Sequence, residues 1–290
     1  MAKFEGVYVA LVTPFTESYE VDYKRLAELC EWQIENGANG LVPTGSLGEY
    51  ATMSNEERAK VVETVIDAAA GRVPVVVGSA APSTQQAVSW VQHAKDKGAA
   101  GVMALPPINY KPLENEVIAH YEALNSVNLP IVGYNNPHDY KIDLTPDLLA
   151  RLSKLENFVA VKEFSGDIRR VHEILAKTDL EVMIGVDNLA MEGPLFGATG
   201  WISGVSNALP KEGAELFKLA REGKLEEASR LYKHLLPLFH FDANAQLVQS
   251  IKYMMELSGF PVGPARPPRL PLPEAEYQAI KKAYEYAVNR

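Results

Sequence analysis

The chain has one cysteine, no apolar run near the length of a membrane span and no excess of basic charge, and each shortage removes a class of function. A single cysteine, Cys30, cannot form an intrachain disulfide, which fits a reducing compartment, and its place in a helical stretch reads as core packing. No apolar run approaches the ~18 residues that a span requires. The start, Met1-Ala2-Lys3-Phe4-Glu5-Gly6, has neither the apolar stretch nor the cleavage pattern of a signal peptide. A soluble, cytoplasmic protein is expected, with no membrane partner. The 28 basic residues are outweighed by 37 acidic ones, a net charge of −9, so there is no field for a phosphate backbone and nucleic acid is not an expected partner. Metal-ligand spacings are missing as well: the six histidines are scattered and His-Glu-x-x-His does not occur. No metal and no cofactor is expected.

What the chain does have is alternation. Its 290 residues are 47% hydrophobic, enough for one large domain with a substantial core. Short β-branched runs predict strands over 7–12, 40–43, 73–78, 101–105, 130–134, 158–162, 182–185 and 200–203. Helical periodicity predicts helices between them over 22–36, 55–69, 84–97, 114–125, 146–155, 167–177 and 189–196, with 211–221 after the last strand. Ser54 with Glu57, and Thr145 before Pro146, read as helix starts. Strand then helix, eight times over, predicts an α/β fold of the (β/α)8 TIM-barrel type. An open doubly wound sheet is the alternative, but its first strand would usually be followed by a glycine fingerprint, and here Thr13-Pro14-Phe15 follows instead. Three further helices over 225–239, 243–258 and 275–288, broken by the prolines of 259–269, form a C-terminal three-helix extension. The organisation expected is a catalytic barrel over 1–223 and an extension of the same domain over 224–290.

In such barrels chemistry takes place at the carboxyl ends of the strands. The sixth predicted strand closes on Lys162 after an otherwise apolar run, and counting back by two places Ala160 and Phe158 on its face. An ammonium packed there loses hydration, its pKa falls, and the neutral amine becomes a nucleophile toward carbonyl carbon. A strand-end lysine ordinarily snorkels to water, so the other strand ends have to decide between the two readings. The second strand is followed by Gly45-Ser46-Leu47-Gly48-Glu49, a turn able to aim backbone N–H groups at a carboxylate, or an ordinary glycine turn. The fifth ends in Tyr134-Asn135-Asn136-Pro137. Neighbouring strands lie about 4.8 Å apart, so Tyr134 and Lys162 are within reach of one small substrate. Gly185, closing the seventh strand, and Asp187 just beyond it stand at the same mouth as candidate substrate contacts.

Together these pieces resemble the N-acetylneuraminate lyase and dihydrodipicolinate synthase family of class I aldolases over essentially the whole chain. The likeness rests on 6–15 at the first strand, Gly-x-x-Gly-Glu at 45–49, Tyr-Asn-x-Pro at 134–137, Lys-Glu at 162–163 and Gly-x-Ile-Ser at 200–203. It implies a (β/α)8 barrel with a helical C-terminal extension, usually a homotetramer. It implies further that Lys162 forms an imine with a 2-oxo acid, that Tyr134 is the general acid–base, and that Ser46 supplies a relay hydroxyl. The N–H groups of Ser46 and Leu47 would bind the substrate carboxylate, Ile202 would line the pocket with its carbonyl near the imine, and Asn109 or Tyr110 would serve a relay between subunits.

Departures from the pattern bear on the subtype. Dihydrodipicolinate synthases carry an arginine two residues after the Tyr-Asn-x-Pro proline for the second substrate's carboxylate, and this chain has Asp139. Leu47 and Tyr50 also replace smaller or hydroxylated residues. Gly-Ser-Leu-Gly-Glu, Lys-Glu-x-Ser-Gly-Asp with Arg169 and Arg170, and Gly-Pro-x-Arg-Pro-Pro look most like 1-pyrroline-4-hydroxy-2-carboxylate deaminases. A deaminase of a cyclic imino acid is therefore the leading expectation. A pyruvate-dependent aldolase on sugar acids or a dihydrodipicolinate synthase-like enzyme is the alternative, and a barrel that binds a keto acid without catalysis is the third. Glu163, Asp167, Arg169 and Arg170 are expected to form a charged helix start and solvated face rather than catalytic groups.

Overall fold

A computed structural model describes residues 4–108 and 111–289 of the chain. Eight strands alternate with helices: β1 Gly6–Ala10, β2 Gly40–Val42, β3 Val76–Gly78, β4 Gly101–Ala104, β5 Ile131–Asn135, β6 Phe158–Glu163, β7 Glu181–Ile184 and β8 Gly200–Ser203. They are hydrogen-bonded in the order β2-β1-β8-β7-β6-β5-β4-β3, all parallel. The two ends of that order meet through the parallel bridge between Leu41 and Val75 and the Gly78 N–H to Pro43 carbonyl bond of 3.0 Å, which closes the barrel. Closure rules out the open sheet. Phe4 and Tyr8 meet edge to face, 6.0 Å between centroids, in the buried core.

The helix starts follow their capping chemistry. Ser54 and Glu57 form a reciprocal capping box on Asn55–Ala69, and the Thr145 side chain accepts from the Leu148 N–H above Pro146. The helix expected over 189–196 is instead two single 3₁₀ turns, Asp187–Leu189 and Gly193–Phe196. Pro194 lies in its middle, without an N–H and with a ring that obstructs the preceding turn, so a continuous helix cannot form. A four-residue helix, Pro137–Tyr140, stands where none was expected, with the Asn136 side chain accepting from the Asp139 N–H.

One irregularity sets the phase of the site. Ile131 pairs with Phe158, but Val132 pairs with Ala160, so β6 carries an extra residue at 159. From there Gly133 faces Val161 and Tyr134 faces Lys162. The same bulge overturns the expectation that Phe158 shares the face of Lys162: the Phe158 ring lies over Gly133 and meets Tyr121 of the helix Glu114–Asn125 edge-on at 5.1 Å. Alternation holds from Ala160 to Lys162 and breaks at 159.

The tail helices Leu225–Phe239, Leu247–Leu257 and Glu274–Val288 pack beside the barrel. Lys252, buried, reaches from the second of them to the carbonyls of Thr13 and Pro264, at 2.9 and 2.7 Å. Its nitrogen is also 2.9 Å from the buried Glu49 carboxylate, an ion pair rather than an aligned hydrogen bond. The other Glu49 oxygen accepts from the Arg266 N–H, and Arg266 itself grips Glu57 with both terminal nitrogens. The proline-rich segment is thus an ordered strap over the turn that follows β2.

Candidate active site

Lys162 ends up where its sequence context implied, at the carboxyl end of β6 and 7% exposed. Its nitrogen lies 4.4 Å from the centroid of the Tyr134 ring and 5.6 Å from that of Phe164. Burial pushes its pKa down to about 8, while Asp242 and Asp187 pull the other way through their charge. Tyr134 is buried too, which raises its hydroxyl above the ordinary tyrosine value, and its oxygen accepts from Asn136 Nδ2 at 3.4 Å.

A cavity of about 630 Å³ opens in front of this pair. Lys162, Tyr134, Ser46, Leu47, Gly185 and Ile202 all line it. Gly185 has a steric reason to lack a side chain, since a Cβ there would stand 3.0 Å from Lys162 Cε and 2.8 Å from the Glu163 carbonyl. Ser46 and Leu47 donate no backbone hydrogen bond to any acceptor among the described residues, which leaves two N–H groups for an anion in the turn after β2.

Asp187 is placed differently from its expected position. It is fully buried, and its carboxylate accepts from Trp201 Nε1 at 2.9 Å, from the N–H groups of Val205 and Gly204 at 2.7 and 3.3 Å, and from the Ser203 hydroxyl at 3.3 Å. It braces the turn after β8 and does not line the cavity. Asn109 and Tyr110 lie outside the described residues. Glu163 points away from Lys162 by strand alternation and accepts from Asn135 Nδ2 and the Ser165 N–H, at 2.9 and 2.6 Å. Arg169 pairs with Asp167 at the exposed helix start, but Arg170 pairs with Asp143 and, like the buried Glu163, does not belong to the solvated face expected for it.

Two residues that the sequence reading passed over enter the cavity. Tyr140 comes back over the site on the short helix Pro137–Tyr140, its hydroxyl 2.7 Å from Ser46 Oγ and its ring edge-on to Tyr134 at 5.8 Å. The signal was available in Asn136-Pro137, a helix cap followed by a first-turn proline. Asp242 comes from the turn between two tail helices, and nothing local to its sequence marks it. At the outer part of the cavity Asp139 accepts from Asn136 Nδ2 at 2.7 Å, and His138 Nε2 is 3.0 Å from the Ser165 carbonyl oxygen.

A closed barrel with a desolvated lysine against a tyrosine on adjacent strand ends defines an enzyme of the class I aldolase type, which works through an imine of that lysine. The chain belongs to the dihydrodipicolinate synthetase family, whose sequence pattern matches residues 3–287. It is 37% identical to a 4-hydroxy-tetrahydrodipicolinate synthase of Jannaschia sp. (strain CCS1) over 98% of each chain. A second protein of that name from Geobacter sp. (strain M21) is 37% identical, with 97% of this chain and 99% of the other covered. Among solved structures, dihydrodipicolinate synthase from Aquifex aeolicus superposes with a TM-score of 0.93 at 31% identity, covering 97% of each chain. No helix among the described residues is long and apolar enough to cross a membrane.

Proposed function

We propose that this enzyme is a lyase that forms a Schiff base between Lys162 and a 2-oxo acid of pyruvate type and makes or breaks a bond beside the imine. The observation that carries the reading is the lysine nitrogen held over the Tyr134 ring in a cavity whose far turn offers two unused N–H groups. In this reading those N–H groups take the substrate carboxylate, the amine attacks the 2-oxo carbon, and the protonated imine acts as the electron sink that turns carbon 3 into an enamine carbon. Tyr134 moves the protons, and the Ser46 and Tyr140 hydroxyls, 2.7 Å from each other, line the cavity beside it. Pyruvate-dependent carbon–carbon chemistry is the first choice, in keeping with the names of the relatives.

A second reading, deamination of a 4-hydroxy-pyrroline-2-carboxylate, is favoured by one observation. Asp139 lines the outer cavity where a synthase would need a cation for a second carboxylate. In that reaction Lys162 replaces the ring nitrogen at carbon 2, the enamine expels the carbon-4 hydroxyl, and hydrolysis releases ammonia and a 2,5-dioxo acid. Borohydride reduction in the presence of pyruvate, read by intact mass, tests the imine. A panel comparing pyruvate release from sugar acids with ammonia release from the pyrroline separates the two outcomes. The proposal includes a cytoplasmic homotetramer, which analytical ultracentrifugation checks.

Tyr134→Phe is expected to lower kcat by about 10²-fold or more while Lys162 still traps pyruvate under borohydride. Equal kcat in the two proteins would remove Tyr134 from the proton path. The rate of trapping should also follow the amine. With Lys162 pushed down to about 8, about a tenth of it is neutral at pH 7, against roughly one part in 2,500 for an ordinary lysine. The rate with dilute pyruvate is expected to climb with pH and level off above about 8. A rate still climbing at pH 10 would mean that the amine is not desolvated.

A further inference from the structure

Two buried carboxyl groups act on the charge of Lys162, and their surroundings differ. Asp187 accepts four hydrogen bonds, two of them from backbone N–H groups, and is walled off from the cavity. Burial pushes the Asp187 carboxyl up to about 6, against the pull of these donors. Asp242 lines the cavity, is 5% exposed, and accepts one long hydrogen bond, from the Asp187 N–H to Oδ2 at 3.4 Å. Its Oδ1 lies against Gly204, where an added Cβ would sit 2.2 Å from it, so the space for this carboxyl exists only because residue 204 is glycine. Neither aspartate forms an ion pair with Lys162 among the described residues, although both act on its charge. Lys162 and Asp242 line the same cavity, whereas Asp187 does not.

We propose that Asp242 is a catalytic acid–base residue of this cavity, giving a proton to the hydroxyl that leaves as the Lys162 imine forms and taking one back when the imine is hydrolysed. The assignment rests on the imine reading given above. The neutral amine adds to the 2-oxo carbon, the carbonyl electron pair moves to oxygen, and a proton passes from nitrogen to that oxygen to give a carbinolamine. Asp242 then protonates the hydroxyl, the carbon–oxygen bond breaks, water departs, and the nitrogen lone pair completes the iminium. The step leaves an iminium cation facing an Asp242 carboxylate, so net charge in the cavity is unchanged. Burial and the nearby Asp187 hold the Asp242 carboxyl well above the usual carboxylate range, against the pull of Lys162 and the Asp187 N–H. The other groups facing it are Lys162 and Tyr134.

The test follows adduct formation with pyruvate by rapid-quench borohydride trapping, and adduct breakdown after dilution, in wild type, Asp242→Asn and Asp242→Ala. Both variants are expected to slow formation and breakdown alike, by about 10²-fold. Added formate, a small carboxylic acid, is expected to restore rate to Asp242→Ala in proportion to its concentration, a response that a purely structural role would not give. Wild-type rates in either folded variant would overturn the assignment of Asp242 and leave the imine intact. No adduct in wild type would overturn the imine reading and this assignment together.

Discussion

Lys162→Ala is expected to show no measurable turnover on any substrate that the wild-type enzyme accepts, and no mass increase after pyruvate and borohydride. The loss is total because no second lysine lines the cavity among the described residues, and an imine needs an amine. The fold should survive: Lys162 makes no hydrogen bond to a protein acceptor among the described residues, so its removal orphans no partner, and the buried ammonium it takes away was costly to keep. The informative control is the other lysine pushed down to about 8, Lys252. A low pKa is common to both, but Lys252 is spent on Glu49 and the carbonyls of Thr13 and Pro264, whereas Lys162 faces open space. Trapping of pyruvate on the Lys162→Ala protein at any other site would show that desolvation rather than position selects the nucleophile, and the site proposed here would be wrong.

Lys252→Met is expected to lower stability by about 3–5 kcal/mol, the usual cost of removing one partner of a buried ion pair. Glu49 would keep its bond from the Arg266 N–H and the more distant guanidinium of Arg269 at 3.7 Å, which do not replace an ammonium at 2.9 Å. Urea unfolding of Lys252→Met, Glu49→Gln and the double variant measures this, and the double variant should recover part of the loss because no unpaired charge is left inside. A change under about 1 kcal/mol would mean that water reaches Glu49. Activity should move as well. Glu49 terminates the turn that carries Ser46 and Leu47, and a loosened turn raises KM for a carboxylate substrate before it touches kcat.

How far the sequence carried depended on the range of the interaction. Strand identity and the buried lysine at the end of β6 were legible because β-branched runs, helix caps and a lysine closing an apolar strand are local signals. The helix at 189–196 failed through Pro194, a local signal given too little weight. The face of Phe158 failed for a subtler reason: a bulge at 159 is set by pairing with β5, which no period-2 count along β6 contains. Asp187 was expected at the mouth, but the four donors that turn its carboxylate away from the cavity come from β8 and the turn after it, some 15 residues further on. Asp242 was invisible for the same reason on a larger scale, since a tail helix has to fold back across the barrel to deliver it.

The strap formed by Arg266 and Lys252 has a practical meaning for anyone reshaping this protein. Shortening the chain ahead of residue 242 would strip away a carboxyl of the cavity and unfasten the turn after β2 in one cut, so a fragment that stops at the last strand would lose both. Tags and fusions belong beyond Val288, where the final helix ends.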